Sequence, residues 1–177
     1  MNVNAMKKAE KAAEEQGTDQ NVEAIEAKCC PHPKWMPIAW KEKGISEIKG
    51  PKTNPRVMEY HEASGFTWAR GNPATLDDSR SIDAWCSSFV TWVLMKAGYS
   101  KDKLAKQPFR ARMWHDSWAN GINISEPIYG CLGVQQNHVG FIVGYKKGDN
   151  NTLAMLGGNQ NDTVKVSFYS KSKFKGF

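Results

Sequence analysis

No stretch of about 18 consecutive apolar residues occurs in this 177-residue chain, so no helical membrane span is expected. The N-terminal residues hold no apolar core of the kind a standard secretory signal requires, and none is expected there. Cysteine is scarce. Cys29, Cys30, Cys86 and Cys131 do not form the dense, even framework of a disulfide scaffold. Cys29, Cys30 and His32 are zinc-type ligands, but no second Cys/His pair at ligand spacing follows, so no metal is expected. Acidic residues are in deficit, 18 against 24 Lys and Arg, and the net charge of +6 favours anionic surroundings such as a cell wall. The basic residues are scattered, as on an ordinary solvated surface. Recognition-helix, RNA-binding aromatic and zinc-finger patterns are all missing, so nucleic acid is not an expected partner.

What is present suits one domain with one sizeable core, since 40% of the residues are hydrophobic and 11% aromatic. Seven tryptophans are enough for some to line a groove while others pack inside. Residues 1–28 are rich in Ala, Glu and Lys and read as a helix-prone polar tail or linker, with a second short helix over Asn21 to Lys28. The expected hydrolytic domain is 29–177. A short helix is expected from Trp35 to Gly44, and one or two helical turns from Asn54 to His61.

The main helix is expected from Ala84 to about Ala97, with Asp83 as N-cap and Gly98 as stop. A further helix is expected over Arg110 to Trp118. The pattern then changes to period two. His138 to Tyr145, Thr152 to Leu156, and Val164 with Val166 and Phe168 read as strands. Gly148-Asp149-Asn150 and the run from Gly157 to Asp162 read as turns. Helices first and an antiparallel sheet second is an α+β layout.

Cys86 falls in the first turn of the main helix, where the macrodipole favours a thiolate. His138 falls where a strand begins, with Gly140 and Ile142 on its face to leave room for the Cys86 helix. A helix-borne thiol and a strand-borne imidazole form a nucleophile and its base. Asn159 is the expected orienter of the imidazole, with Gln160 and Asp162 as alternatives. The first helical amides, that of Cys86 among them, have no partner and suit an oxyanion. Trp85, Ser87, Trp114 and Gln160 are the expected substrate contacts, and Trp118 is a further candidate for the groove.

Cys86-Ser87-Ser88-Phe89 resembles the Cys-Ser-Gly-Phe segment of NlpC-type papain-like peptidases and their CHAP relatives. His138-Val139-Gly140-Phe141 resembles their His-Val-Gly-Ile strand. Leu156-Gly157-Gly158-Asn159-Gln160 stands where CHAP domains carry Glu-x-Asn. The likeness covers about residues 33–177 and extends to Trp35-Met36-Pro37-Ile38-Ala39, Asn54-Pro55-Arg56-Val57 and Ala111-Arg112-Met113-Trp114.

It implies a papain-like fold, with N-terminal helices packed on a small antiparallel sheet. It also implies cleavage of amide bonds in peptidoglycan peptides without a cofactor. Ser88 replaces a glycine and is expected to narrow the space beside the nucleophile. Gly130-Cys131 replaces Gly-Asp ahead of the His strand, which changes the turn. Gly157 replaces the CHAP glutamate, so no fourth catalytic carboxylate is expected.

The expectation is a secreted antibacterial effector of the type VI kind, made in the cytoplasm and delivered to the periplasm or wall of a target cell. An immunity protein and a secretion-apparatus component would be its partners. A phage endolysin, a Cys–His acyltransferase or deamidase acting on protein, and a non-catalytic wall-binding module are the alternatives.

Overall fold

The computed structural model describes residues 20–25, 33–48, 53–66 and 84–177. Asp83, Cys29, Cys30, His32 and most of the expected tail lie outside them. The described residues form an α+β structure. Its helices are α1 (Met36–Lys41), α2 (Pro55–Ser64), α3 (Cys86–Lys96) and α4 (Met113–Asp116). Its strands are β1 (Val22–Glu23), β2 (Leu132–Val134), β3 (Val139–Lys146), β4 (Asp149–Gly157) and β5 (Lys165–Ser170).

Every pairing in the sheet is antiparallel, in the order β1-β3-β4-β5, with β2 also on β3. β1 meets β3 at Lys146 and Tyr145, whereas β2 meets it at Val139 to Phe141. The two short strands therefore lie end to end along one edge of β3. The helix expected over Asn21 to Lys28 is instead, in its described part, strand β1. Val22 and Glu23 take the ladder bonds that β3 offers, and a short polar segment gains more from those than from isolated helical turns.

α2 begins as its sequence suggests. The Asn54 side chain accepts the Arg56 N–H, Pro55 occupies the first turn, and Gly65 ends the helix at φ 77. α3 starts at Cys86, two residues later than expected, with Trp85 as an N-cap that makes no side-chain hydrogen bond. Nine of its eleven residues are buried, because it is covered by α2 on one side and β3 on the other. The expected helix over Arg110 to Trp118 shortens to α4, flanked by turns. Its first residues instead donate turn bonds, Arg110 N–H to Gln107 O and Met113 N–H to Arg110 O.

The core divides across the sheet. Phe89, Val90 and Val93 of α3 pack with Val139, Phe141 and Val143. Ile142, Leu153 and Met155 form a second cluster joined by Tyr169, Phe174 and Cys131. The face expected to receive α3, that of Gly140 and Ile142, is thus the wrong one. Phe141 on the opposite face meets Phe89 edge-on with ring centroids 6.1 Å apart.

α1 and α2 are tied by a buried polar contact. The Tyr60 hydroxyl donates to Glu42 Oε2 at 2.6 Å, and Arg56 Nε lies 3.3 Å from the same oxygen. Tyr60 is fully buried, and burial beside this carboxylate pushes its phenol well above the ordinary range. Tyr60→Phe leaves Glu42 short of a donor, at a cost of about 1–2 kcal/mol. The expected result is a lower urea midpoint at unchanged slope; an unchanged midpoint would show that Arg56 alone satisfies Glu42.

Candidate active site

Cys86 is placed by the residue before it. Trp85 is fully buried, and its indole N–H donates to Glu47 Oε1 at 2.6 Å. Its ring lies on Tyr60, with centroids 5.7 Å apart. On another side it touches Gly158, where a Cβ would come within 2.6 Å of the indole. Only glycine permits that approach. The indole thereby joins the start of α3 to the turn after β4.

The sulfur then lies against the backbone that carries His138. Sγ is 3.9 Å from Asn137 O, the acceptor for its S–H, and the Val139 N–H also faces it. The N–H groups of Cys86 and Ser87 also face the sulfur. Helix-start amides without an intrahelical partner can stabilise developing negative charge.

The expected resting thiolate is not what this environment favours. Cys86 is 4% exposed, and burial pushes its thiol up, outweighing the three backbone N–H groups that pull it down. Burial also pushes the His138 pKa down to about 4, only partly opposed by the Gln160 carboxamide. At pH 7 the thiol and the imidazole are both neutral.

Gln160, rather than Asn159, is the amide beside the imidazole. A Cβ on Gly157 would lie 3.3 Å from Gln160 Nε2 and 3.5 Å from His138 Nε2, so both groups close on one glycine. The carboxamide favours the imidazolium as a hydrogen-bond acceptor does. Even so, His138 Nε2 is buried without a hydrogen bond of ordinary geometry among the described residues. The contact is near but not aligned.

Gln160 is itself buried and held at both ends. Its Nε2 donates to Met155 O and Gly157 O at 3.1 Å, and to Lys165 O. Its Oε1 accepts the Tyr169 hydroxyl at 2.8 Å. Asn159 sits at φ 55, followed by Asn161 at φ 49 and Asp162 at φ 60. These are left-handed turn positions that Asn and Asp tolerate, and this explains the residue choice at 159 and 162 without chemistry.

All four expected substrate contacts belong to the interior, Gln160 as just described. Trp85 is in the clamp described above. Trp114, 3% exposed, donates its indole N–H to Ser87 Oγ at 2.7 Å, and Ser87 Oγ donates to Pro108 O at 2.8 Å. Trp118 stands edge-on against Trp114 and donates to Lys103 O.

Ser88 does not narrow the space at Cys86. Its hydroxyl turns to α2, 2.9 Å from Ser64 Oγ and 3.3 Å from His61 Nδ1. Ser88 and His61 also form a Ser–His pair, but both are fully buried and closed to a substrate. His115 pairs with Asp116 at 3.0 Å. In the turn ahead of β3, the Gly130 N–H donates to Ile142 O at 2.7 Å and its carbonyl accepts the Trp35 indole N–H at 2.8 Å. Burial pushes the Cys131 thiol up to about 11.

Tyr169 was not among the expected residues. Its ring lies beside His138, with centroids 5.7 Å apart. Its signal in the sequence is slight: it shares a strand face with Lys165 and Ser167, opposite Val166 and Phe168. Among the described residues no helix is long and apolar enough to cross a membrane, and no cluster of His, Cys, Asp and Glu is placed to hold a metal. No protein-family model, curated protein or solved structure matches this chain.

Two pH effects follow from the paired desolvation. Alkylation of Cys86 by iodoacetamide should rise continuously through the alkaline range; a rate plateau extending below pH 6 would instead reveal a resting thiolate–imidazolium pair. Stability should respond on the acid side. His138 titrates near 4 when folded and near its ordinary value of about 6.5 when unfolded, so the unfolded chain binds more protons between those values. Its contribution is complete above pH 6.5 and lost as pH falls toward 4. For this partly solvated ring it is on the order of 2 kcal/mol. His138→Gln should remove that acid slope in urea titrations, and an undiminished slope would assign it to other groups.

Proposed function

We propose that this chain is a cysteine hydrolase of the papain-like NlpC/CHAP kind that cleaves amide bonds in peptidoglycan peptides. The observation that carries the reading is the position of Cys86. Its sulfur, at the start of a buried helix, lies against the Asn137 carbonyl and the Val139 amide, on either side of His138 in the chain. The motif resemblance supplies the substrate class, and the net charge of +6 is compatible with an anionic wall.

In this mechanism His138 takes the Cys86 proton as the sulfur attacks the scissile carbonyl carbon. The carbonyl π pair moves to oxygen, beside the N–H groups at the start of α3. Collapse breaks the C–N bond, and the imidazolium returns the proton to the leaving amine. His138 then takes a proton from water, which adds to the thioester carbonyl. Expulsion of the sulfur and its reprotonation restore the free thiol. Gln160 Oε1 is the group placed to support the imidazolium as it forms. The protonation shifts explain why reaction begins from neutral partners: charge separation waits until substrate brings its carbonyl to the amides.

Delivery as a secreted antibacterial effector, with an immunity protein in the producing cell, is the proposed setting. Purified sacculi incubated with the protein should release soluble muropeptides, whose masses identify the bond cut. Cys86→Ala and His138→Ala should reduce release to background while remaining folded. Gln160→Ala should cost about 10–100-fold, as misplacement of a catalytic group does, and more than Asn159→Ala. Identical muropeptide profiles with the native protein and Cys86→Ala would reject hydrolysis. Equal losses at 159 and 160 would return the orienting role to Asn159.

A further inference from the structure

The sheet face that carries the imidazole also carries a positive charge. Gly157 of β4 stands opposite Lys165 of β5. Opposite residues of an antiparallel pair put their side chains on one face, with Cβ atoms about 5 Å apart. A Cβ at Gly157 would lie 3.5 Å from His138 Nε2. The Lys165 stem therefore leaves the sheet on the imidazole's side. Its backbone is fixed to the same place, because the Lys165 carbonyl accepts from the Gln160 carboxamide that stands beside the imidazole. Ser167 and Tyr169 follow on this face, the Ser167 hydroxyl bonded to the Tyr169 phenol.

No carboxylate among the described residues answers that charge. Lys165 is half-buried and forms no ion pair among them, whereas Lys171, just after β5, is held by Glu126 at 2.6 Å. The groups that shift His138 and Tyr169 include no acid. An ammonium that has lost part of its hydration and gained no counter-ion favours an incoming carboxylate, to which it gives a charge-assisted hydrogen bond.

The proposed mechanism states which part of a substrate it meets. His138 returns its proton to the leaving amine, so the amine side of the scissile bond lies against the imidazole. The acyl carbonyl lies at the α3 amides. Lys165 approaches from β5, on the imidazole's flank. We propose that Lys165 is a specificity residue that pairs with a carboxylate on the amine side of the scissile amide, so that the preferred peptides release a fragment carrying that free carboxylate. The assignment to the amine side rests on the hydrolase reading; the carboxylate contact is a binding property that Cys86→Ala retains.

The test compares muropeptides whose carboxyl groups are free with the same muropeptides after amidation, by calorimetry on the Cys86→Ala protein. The free acids should bind about 10-fold tighter, the worth of one charge-assisted hydrogen bond. Lys165→Met keeps the stem and should remove the preference, and Lys165→Arg should keep it. Lys147→Met, at the far end of β3, should also keep it. Equal binding of acid and amide is what a lysine that merely protects a sheet edge predicts, and it would overturn the proposal. So would a preference that survives in Lys165→Met, or one lost equally in Lys147→Met, which would assign it to the net charge.

A second measurement uses the unaltered protein. In a mixture of singly amidated muropeptides, those amidated on the amine side should persist while the others are cut, and mass spectrometry of the remainder reads this directly. Persistence of the acyl-side isomers would overturn the assignment. Cleavage without any preference for the acid would leave hydrolysis standing and remove the carboxylate contact. Preferred binding of the acid without cleavage would leave the contact standing and remove hydrolysis.

Discussion

The structure depends on the burial of Trp85 between Tyr60, Glu47 and Gly158. One indole ties α2, the segment after α1, and the turn after β4 to the residue next to the thiol. Its ring contributes the large apolar area that makes such a junction strong, and its N–H finds the carboxylate that a buried donor needs. Cys86 can then only emerge where the α3 amides and the start of β3 meet. The position of the sulfur is a by-product of core packing.

The same packing sets the electrical state of the site. Helix-start amides favour a thiolate by fractions of a kcal/mol to about 2 kcal/mol, whereas burying an unpaired charge costs more. With Cys86 4% exposed, desolvation wins, and the imidazole is neutralised for the same reason. The candidate site therefore holds arranged donors and acceptors rather than a standing ion pair. Gln160 is central to that arrangement because both ends of its carboxamide are engaged.

Much of the fold is legible from local pattern. Asn54-Pro55 announces α2, the alternation after His138 announces β3, and the hydrophobic run after Cys86 announces α3. β1 is not legible, since a two-residue strand carries no periodicity of its own and exists only through the edge of β3. The overlong helix expected around Met113 fails for a related reason. Its residues have helical propensity, but the turn bonds and the docking of Trp114 on Ser87 leave room for a single turn.

In the candidate site, local pattern alone puts Cys86 at a helix start and His138 at a strand start, because such starts are written in adjacent residues. Sequence also marks 157–162 as a turn rich in small and polar residues. Only the tertiary structure decides which member of that turn faces the imidazole, that Trp85, Ser87 and Trp114 lie inside, that Ser88 turns toward α2, and that Tyr169 reaches Gln160. Those outcomes depend on which face of β3 receives α3 and on how much water remains at each polar atom. Both are set by contacts between residues far apart in the chain, and no local pattern encodes them.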